Sequence, residues 1–294
     1  MRPEVHKIQK DRLPTLEGTI PHIKRIFSKP PGFLEQPEML GNYGLYLPDE
    51  VDEAIEKSNL VSPGGKTLLR GLREMGGVAL FGTGEEYDLG LNYGALYKSK
   101  VDEKIVPVLE ELAASMQEVA DKRGYPIHAV FAPETSGVPQ AKVFSSFLKG
   151  TECHPVKKNR DSSPIMVALD SYTKGKTDIM SLATDMLASL QAEGKTNIVL
   201  SDDIIDAGFM SQTVTLLLQL AQEQGYDVHL VGIVAPIEKT YTGAREHIQA
   251  TLGDIPVISA LQIENIGLLN DTQAWIKVFG IPKAIPCNLA DFRV

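Results

Sequence analysis

The chain has 294 residues, 43% of them hydrophobic and 23% charged, with a formal net charge of −9. These values suit a globular protein of one large domain, or of a core with an extension. They argue against a nucleic-acid-binding role, which calls for clustered Lys and Arg.

Cys153 and Cys287 lie far apart without metal-ligand spacing, so both are expected to be reduced thiols in a cytoplasmic protein. The start, Met1-Arg-Pro-Glu-Val-His-Lys7, has no apolar stretch behind it, so no secretory signal is expected. No run approaches the roughly 20 apolar residues that span a bilayer, so no membrane partner is expected.

Residues 1–77 are rich in Pro and Gly and read as an N-terminal extension packed on the main domain or on an oligomer partner. Two helices are expected there. One spans Pro48 to Ser58, with acidic residues in its first turns where the helix dipole favours them. The other spans Lys66 to Met75 and is closed by Gly76-Gly77. From Val78 to about Asn270 strand and helix signals alternate.

The predicted strands are Tyr87–Tyr93, Ile127–Ala132, His154–Val156, Ile165–Leu169, Ile198–Leu200 and Val228–Val234. Helices are predicted over Val101–Arg123, Gly137–Leu148, Asp178–Leu190 and Val214–Gln224. Repeated βαβ units predict an α/β fold: a central, mostly parallel sheet with helices on both faces. The tail, 271–294, carries Trp275 and two prolines and is expected to pack across this domain.

The most informative stretch is Asn197-Ile-Val-Leu-Ser-Asp-Asp-Ile-Ile-Asp-Ala-Gly-Phe-Met-Ser211. An apolar strand ends in two carboxylates, Asp202 and Asp203, at the edge where α/β sheets place their ligands. These oxygens can accept hydrogen bonds from vicinal ribose hydroxyls. The loop from Asp206 to Ser211 then leads into a helix whose amides suit a phosphate. A bare Asp-Asp pair is ordinarily a solvated strand end or a cap; the strand before it and the helix after it make the difference.

Phe131-Ala-Pro-Glu-Thr-Ser-Gly-Val-Pro139 is a second strand-turn-helix joint and a second anion site, although a simple capped helix would look alike. Val156-Lys-Lys-Asn-Arg160 reads as a solvated loop or as a cation cluster for a pyrophosphate. Ser171-Tyr-Thr-Lys-Gly-Lys-Thr-Asp178 reads as an exposed turn or as a lid that keeps water from a reactive centre. Lys239 ends a strand, where its ammonium can donate to a carbonyl oxygen of a heterocycle.

Taken together, Leu200-Ser-Asp-Asp-Ile-Ile-Asp-Ala-Gly208 resembles the PRPP-binding motif of type I phosphoribosyltransferases. Glu134-Thr-Ser-Gly137 resembles the pyrophosphate loop of that family, and Val156-Lys-Lys158 its basic segment. Asp170 to Thr177 is similar to the flexible loop of the adenine and xanthine branch. Ile237-Glu-Lys-Thr-Tyr-Thr-Gly-Ala-Arg245 resembles the xanthine enzymes and the phosphoribosyltransferase domain of the bacterial purine repressor. The five segments keep the family's order from about Val78 to Gly267.

The resemblance implies a type I phosphoribosyltransferase fold over 78–270, with a small hood region. It also implies transfer of 5-phosphoribosyl from PRPP to a purine base. Asp202 and Asp203 would bind the ribose hydroxyls, with Mg²⁺ held mainly by PRPP and only indirectly by these two. Ala207, Gly208, Phe209, Met210 and Ser211 would hold the 5′-phosphate. Glu134, Thr135, Ser136, Gly137, Lys157 and Lys158 would face the pyrophosphate. Ser171, Tyr172 and Lys174 would form the catalytic lid, Asp206 would transfer a proton, and Lys239 and Asn92 would contact the base. A homodimer is implied as well.

Two departures stand out: Phe209 and Met210 occupy positions where many members carry threonines, and Ser201 replaces an apolar residue before the acidic pair. The alternatives are a PRPP-sensing regulator without catalysis, an orotate or adenine enzyme, and a degenerate domain serving assembly.

Overall fold

The computed structural model describes residues 43–81, 88–92, 105–134, 137–158, 163–171, 176–206, 209–270 and 272–290. The expectations for 1–42, Thr135, Ser136, Tyr172, Lys174, Ala207 and Gly208 fall outside these ranges.

The chain opens with α1 (Val51–Lys57) and α2 (Pro63–Glu74). Ser62 caps α2 by accepting from the Gly65 amide at 3.0 Å, and Leu68, Leu69 and Leu72 bury one face. Then come β1 (Val78–Phe81), β2 (Asp88–Leu91), α3 (Val106–Arg123), β3 (Ala129–Pro133), α4 (Gly137–Ser146) and β4 (Glu152–Lys158). A hairpin of β5 (Ile165–Ser171) and β6 (Lys176–Leu182) precedes α5 (Thr184–Ala192). The second half holds β7 (Asn197–Ser201), β8 (Ile204–Ile205), α6 (Phe209–Glu223), β9 (His229–Lys239) and α7 (Ala244–Leu252). It ends with β10 (Val257–Leu268), β11 (Gln273–Val278) and β12 (Ile285–Ala290).

The middle of the sheet is parallel, in the order β4-β3-β7-β9-β10. Within it β3 and β7 are short apolar runs because helices cover both faces. Ile198, Val199 and Leu200 of β7 are all fully buried. From β3 the chain steps outward to β4, then returns to place β7 on β3's other side. The order of strands therefore reverses between β3 and β7, and open α/β sheets bind ligands beyond the carboxyl ends at such a point.

Three expectations change. The helix predicted over Asp178–Leu190 is instead β6 followed by α5, with Ile165 opposite Leu182 and Ser171 opposite Lys176. Ile179, Met180, Ser181 and Leu182 are all buried, so the run is apolar on both strand faces and mimics a helical stripe. The tail does not simply lie across the domain. β11 extends the sheet antiparallel to β10, β12 pairs with β11, and β1 joins β12 in parallel. Third, the segment before Val78 is built into the fold: Val51, Ile55, Leu68 and Leu72 share one core with Leu109, Ile276 and Ile285.

The N-terminal turn of α2 lies directly on β10. A Cβ at Gly65 would sit 2.2 Å from the Ala260 carbonyl oxygen, a backbone atom that cannot swing away. Gly65→Ala is expected to cost about 1–3 kcal/mol in urea unfolding by overpacking; an unchanged midpoint would show that α2 can shift freely on the sheet. Among the described residues no helix is long and apolar enough to cross a membrane.

Candidate functional site

The acidic pair stands where β7 leaves the sheet. The Asp202 amide still donates to the Val234 carbonyl at 3.0 Å, which extends the β7–β9 ladder by one bond. Its Oδ1 accepts from the Asp203 amide at 2.8 Å. Asp202 is buried, whereas Asp203 is half-buried. Burial pushes the Asp202 carboxyl well above the usual carboxylate range, and the nearby Asp203 and Asp206 carboxylates push it further. Three acidic side chains thus converge at one corner of the cleft.

Beyond them, β8 runs parallel to β9, with Ile204 opposite Ile237 and Ile205 opposite Glu238. The next residues in this register are Asp206 and Lys239. Their side chains meet as an ion pair, Lys239 Nζ donating to Asp206 Oδ2 at 2.5 Å. The other carboxylate oxygen, Asp206 Oδ1, is buried without a hydrogen-bond partner among the described residues.

The backbone then enters α6 at Phe209, so the joint expected to receive a phosphate is a helix N-terminus. Ser211 is buried in its first turn, and the half-buried Met210 packs on the second hydrophobic core with Leu217 and Leu218. Met210 is therefore a packing residue of this turn.

The loop after β3 reaches the same place. The Glu134 amide donates to the Val156 carbonyl at 3.0 Å, and its Oε2 accepts from the Lys158 amide at 3.2 Å. Glu134 therefore ties the ends of β3 and β4 together. At Gly137, where α4 begins, a Cβ would lie 3.4 Å from the Ser201 carbonyl oxygen and 3.5 Å from Asp202 Oδ1. The start of α4 therefore lies in van der Waals reach of the acidic pair. The ends of β3 and β7 and the start of α4 thus meet at one place on the carboxyl edge of the sheet.

Lys157 and Lys158 lie half-buried on β4, opposite Ser181 and Met180 of β6. From Met180 to Lys176 the hairpin runs on past the end of β4 by four residues, roughly 13 Å. Ser171 and Lys176 thus pair where the two strands overhang the carboxyl edge of the sheet, and residues 172–175 of the expected lid lie outside the described residues.

Asn92 is placed differently from the expectation. It follows β2, five strands from β9 in the sheet order, and is buried. Its side-chain amide donates to the Gly76 carbonyl at 3.0 Å and its backbone amide to the Gly77 carbonyl at 3.0 Å. Asn92 ties the end of α2 to the sheet edge, because that turn leaves buried carbonyls in need of donors. It is a structural residue in this fold.

One feature beside the cleft has no counterpart among the expected site residues. Glu238, fully buried next to Lys239, accepts from Arg245 Nε at 3.0 Å, Arg245 Nη2 at 2.6 Å and Ser259 Oγ at 2.7 Å. Arg245 also donates to the Val257 carbonyl at 2.9 Å. The network fastens β9, α7 and β10 together behind the cleft. Its signal in the sequence was a Glu inside an otherwise apolar strand, with an Arg seven residues later.

Both cysteines are free; burial pushes the Cys153 thiol up to about 11 and that of Cys287 up to about 12, so neither is poised as a nucleophile. Among the described residues no group of three or more His, Cys, Asp or Glu side chains is arranged to hold a metal ion.

Solved structures similar to this chain include three adenine phosphoribosyltransferases. Adenine phosphoribosyltransferase from Trypanosoma brucei, in complex with AMP, pyrophosphate and ribose-5-phosphate, is 11% identical over 68% of this chain and 80% of that one, with a TM-score of 0.48. The adenine phosphoribosyltransferase of Thermoanaerobacter pseudethanolicus is 18% identical over 66% and 99% of the two chains, with a TM-score of 0.45. That of Rhodothermus marinus is 17% identical over 67% and 98%, also with a TM-score of 0.45. No protein-family model matches the chain, and no curated protein matches it.

Proposed function

We propose that this protein is a purine phosphoribosyltransferase, which transfers 5-phosphoribosyl from PRPP to a base and releases pyrophosphate. The observation that carries this reading is the meeting of two strand-turn-helix joints at the switch between β3 and β7, with Gly137 seated against Asp202. One joint ends in a diol-binding acidic pair, and both lead into helix N-termini suited to anions. A substrate with a ribose diol between a monophosphate and a pyrophosphate matches that spacing of groups.

In this reading Asp202 and Asp203 accept from the ribose hydroxyls, and the first turn of α6 holds the 5′-phosphate. The start of α4, Lys157 and Lys158 face the pyrophosphate. Loss of pyrophosphate leaves an oxocarbenium-like sugar, stabilised by surrounding charge rather than by a covalent nucleophile. Ser171, Tyr172 and Lys174 exclude water from that centre. Asp206 takes the proton that the base loses. Two adjacent carboxylates without a third protein ligand suit Mg²⁺, which keeps waters and takes phosphate oxygens from its substrate. When bound with PRPP, Mg²⁺ neutralises the leaving pyrophosphate. A homodimer in the cytoplasm belongs to the same reading.

Lys239 selects the base. Its ammonium is a donor only, so it fits the carbonyl of a 6-oxopurine, xanthine above the others, and mismatches the amine of adenine. An unpaired buried polar group costs about 1–3 kcal/mol, or roughly 5- to 150-fold. With Mg²⁺ and PRPP, xanthine is expected to give more 5′-mononucleotide and pyrophosphate than adenine, guanine, hypoxanthine or orotate. If none of the five gives product, the enzyme reading is wrong. PRPP binding without any turnover would instead mark a regulator.

A further inference from the structure

Two ion pairs stand side by side at the end of β9, and they are built differently. Glu238 has both oxygens engaged, by Arg245 and Ser259, and is fully buried. Asp206, one register step further on, has Oδ2 on Lys239 while Oδ1 is buried without a partner among the described residues. Its side chain keeps 29% exposure toward the cleft, and Lys239 keeps 11%. Among the described residues the Lys239 ammonium has this single hydrogen-bond partner. A structural pair would be completed as its neighbour is; this one leaves, among the described residues, a buried acceptor and two ammonium N–H groups uncommitted.

We propose that the Asp206–Lys239 pair is a latch across the base end of the cleft, opened only when a heterocycle's carbonyl oxygen replaces the carboxylate on Lys239. This rests on the transferase reading. The β8–β9 register places its members side by side, so the pair competes with every base that arrives. The exchange that seats the base also releases the Asp206 carboxylate, which thereby becomes free to accept a proton. Asp206 is thus a positioning residue for binding, acting through Lys239, and lowers base affinity in the resting protein. A ligand without a carbonyl acceptor gains nothing by opening the latch, so the pair sharpens selection as well.

Asp206→Asn, nearly isosteric, is the test; Asp206→Ser replaces it if the first variant melts far below wild type. Xanthine affinity is titrated calorimetrically in the presence of ribose 5-phosphate, which cannot react. The expected result is roughly tenfold tighter xanthine binding, equivalent to about 1.4 kcal/mol, while turnover with PRPP falls. Lys239 acetylation by acetic anhydride, followed by peptide mass spectrometry, is expected to run several-fold faster in the variant. Weaker xanthine binding by the variant, or unchanged acetylation, overturns the latch and leaves the transferase reading standing. Faster acetylation with no xanthine bound by either protein leaves only an ion pair that shields Lys239, and overturns both the latch and the xanthine-transferase reading.

Discussion

Asp202→Asn/Asp203→Asn is expected to bind PRPP at least about 100-fold more weakly than wild type and, at alkaline pH, to melt higher. Hydrogen bonds to charged groups contribute about 1.5–3 kcal/mol each, so losing two carboxylate acceptors removes at least roughly 3 kcal/mol of affinity. The stability gain comes from the same residues. The folded Asp202 carboxyl titrates above its unfolded value of 3.8, chiefly because it is buried. The folded chain therefore binds that proton more tightly than the unfolded chain does. This contribution is full below pH 3.8 and is lost as pH rises through the raised folded value. Asn cannot ionise, and its oxygen still accepts from the Asp203 amide. The melting temperatures of variant and wild type are expected to diverge as pH rises, by about 2–4 °C for each kcal/mol in a chain of this size. Calorimetric scans between pH 4 and 9 check it. A wild type that melts higher across the whole range would show that the acidic pair is stabilising, and would remove the trade between binding and stability.

That trade shows how a site can be written in a sequence. The acidic corner was legible because its parts are contiguous: an apolar strand, two carboxylates, a turn and a helix all fall between Asn197 and Glu223. The joint after β3 was legible for the same reason. The α/β class followed from short apolar runs that alternate with helical ones, and the parallel middle of the sheet agrees with it.

What the sequence concealed depends on distant partners. Residues 179–182 satisfy a helical stripe and a doubly buried strand equally, and only hydrogen bonding to β5 decides between them. β10 escaped notice because its register shifts between Ile263 and Asn265, which breaks the period-two pattern of a strand. Asn92 was tied to the base by loose similarity, whereas the buried carbonyls at Gly76 and Gly77 decide its partners. The ion pair of Asp206 with Lys239 follows from the two-residue pairing of β8 with β9, which no local pattern announces.

The Glu238–Arg245 network is the place where a change outside the cleft should have the largest effect on stability. Arg245→Met would leave a carboxylate with 0% exposure holding one hydroxyl, Ser259, and no cation. Breaking a buried pair from one side costs about 3–5 kcal/mol, because the remaining charge is neither hydrated nor compensated. The Arg245 side chain is 32% exposed, so water reaches the guanidinium, but it does not reach the carboxylate, and the carboxylate sets the cost. A fall in melting temperature of roughly 6–20 °C is expected. Glu238→Gln/Arg245→Met removes both charges and should recover most of that loss, since a neutral amide can still accept from Ser259. A double-mutant cycle measured by urea unfolding gives the coupling directly. If Arg245→Met alone stays within about 1 kcal/mol of wild type, the buried carboxylate finds another partner and the network does not fasten β9 to α7. If the double variant is as unstable as the single one, packing of the arginine stem rather than charge holds these elements together. Where the cycle shows strong coupling, Lys239 inherits its position from it, because Glu238 is the residue through which β9 is anchored one step before the latch.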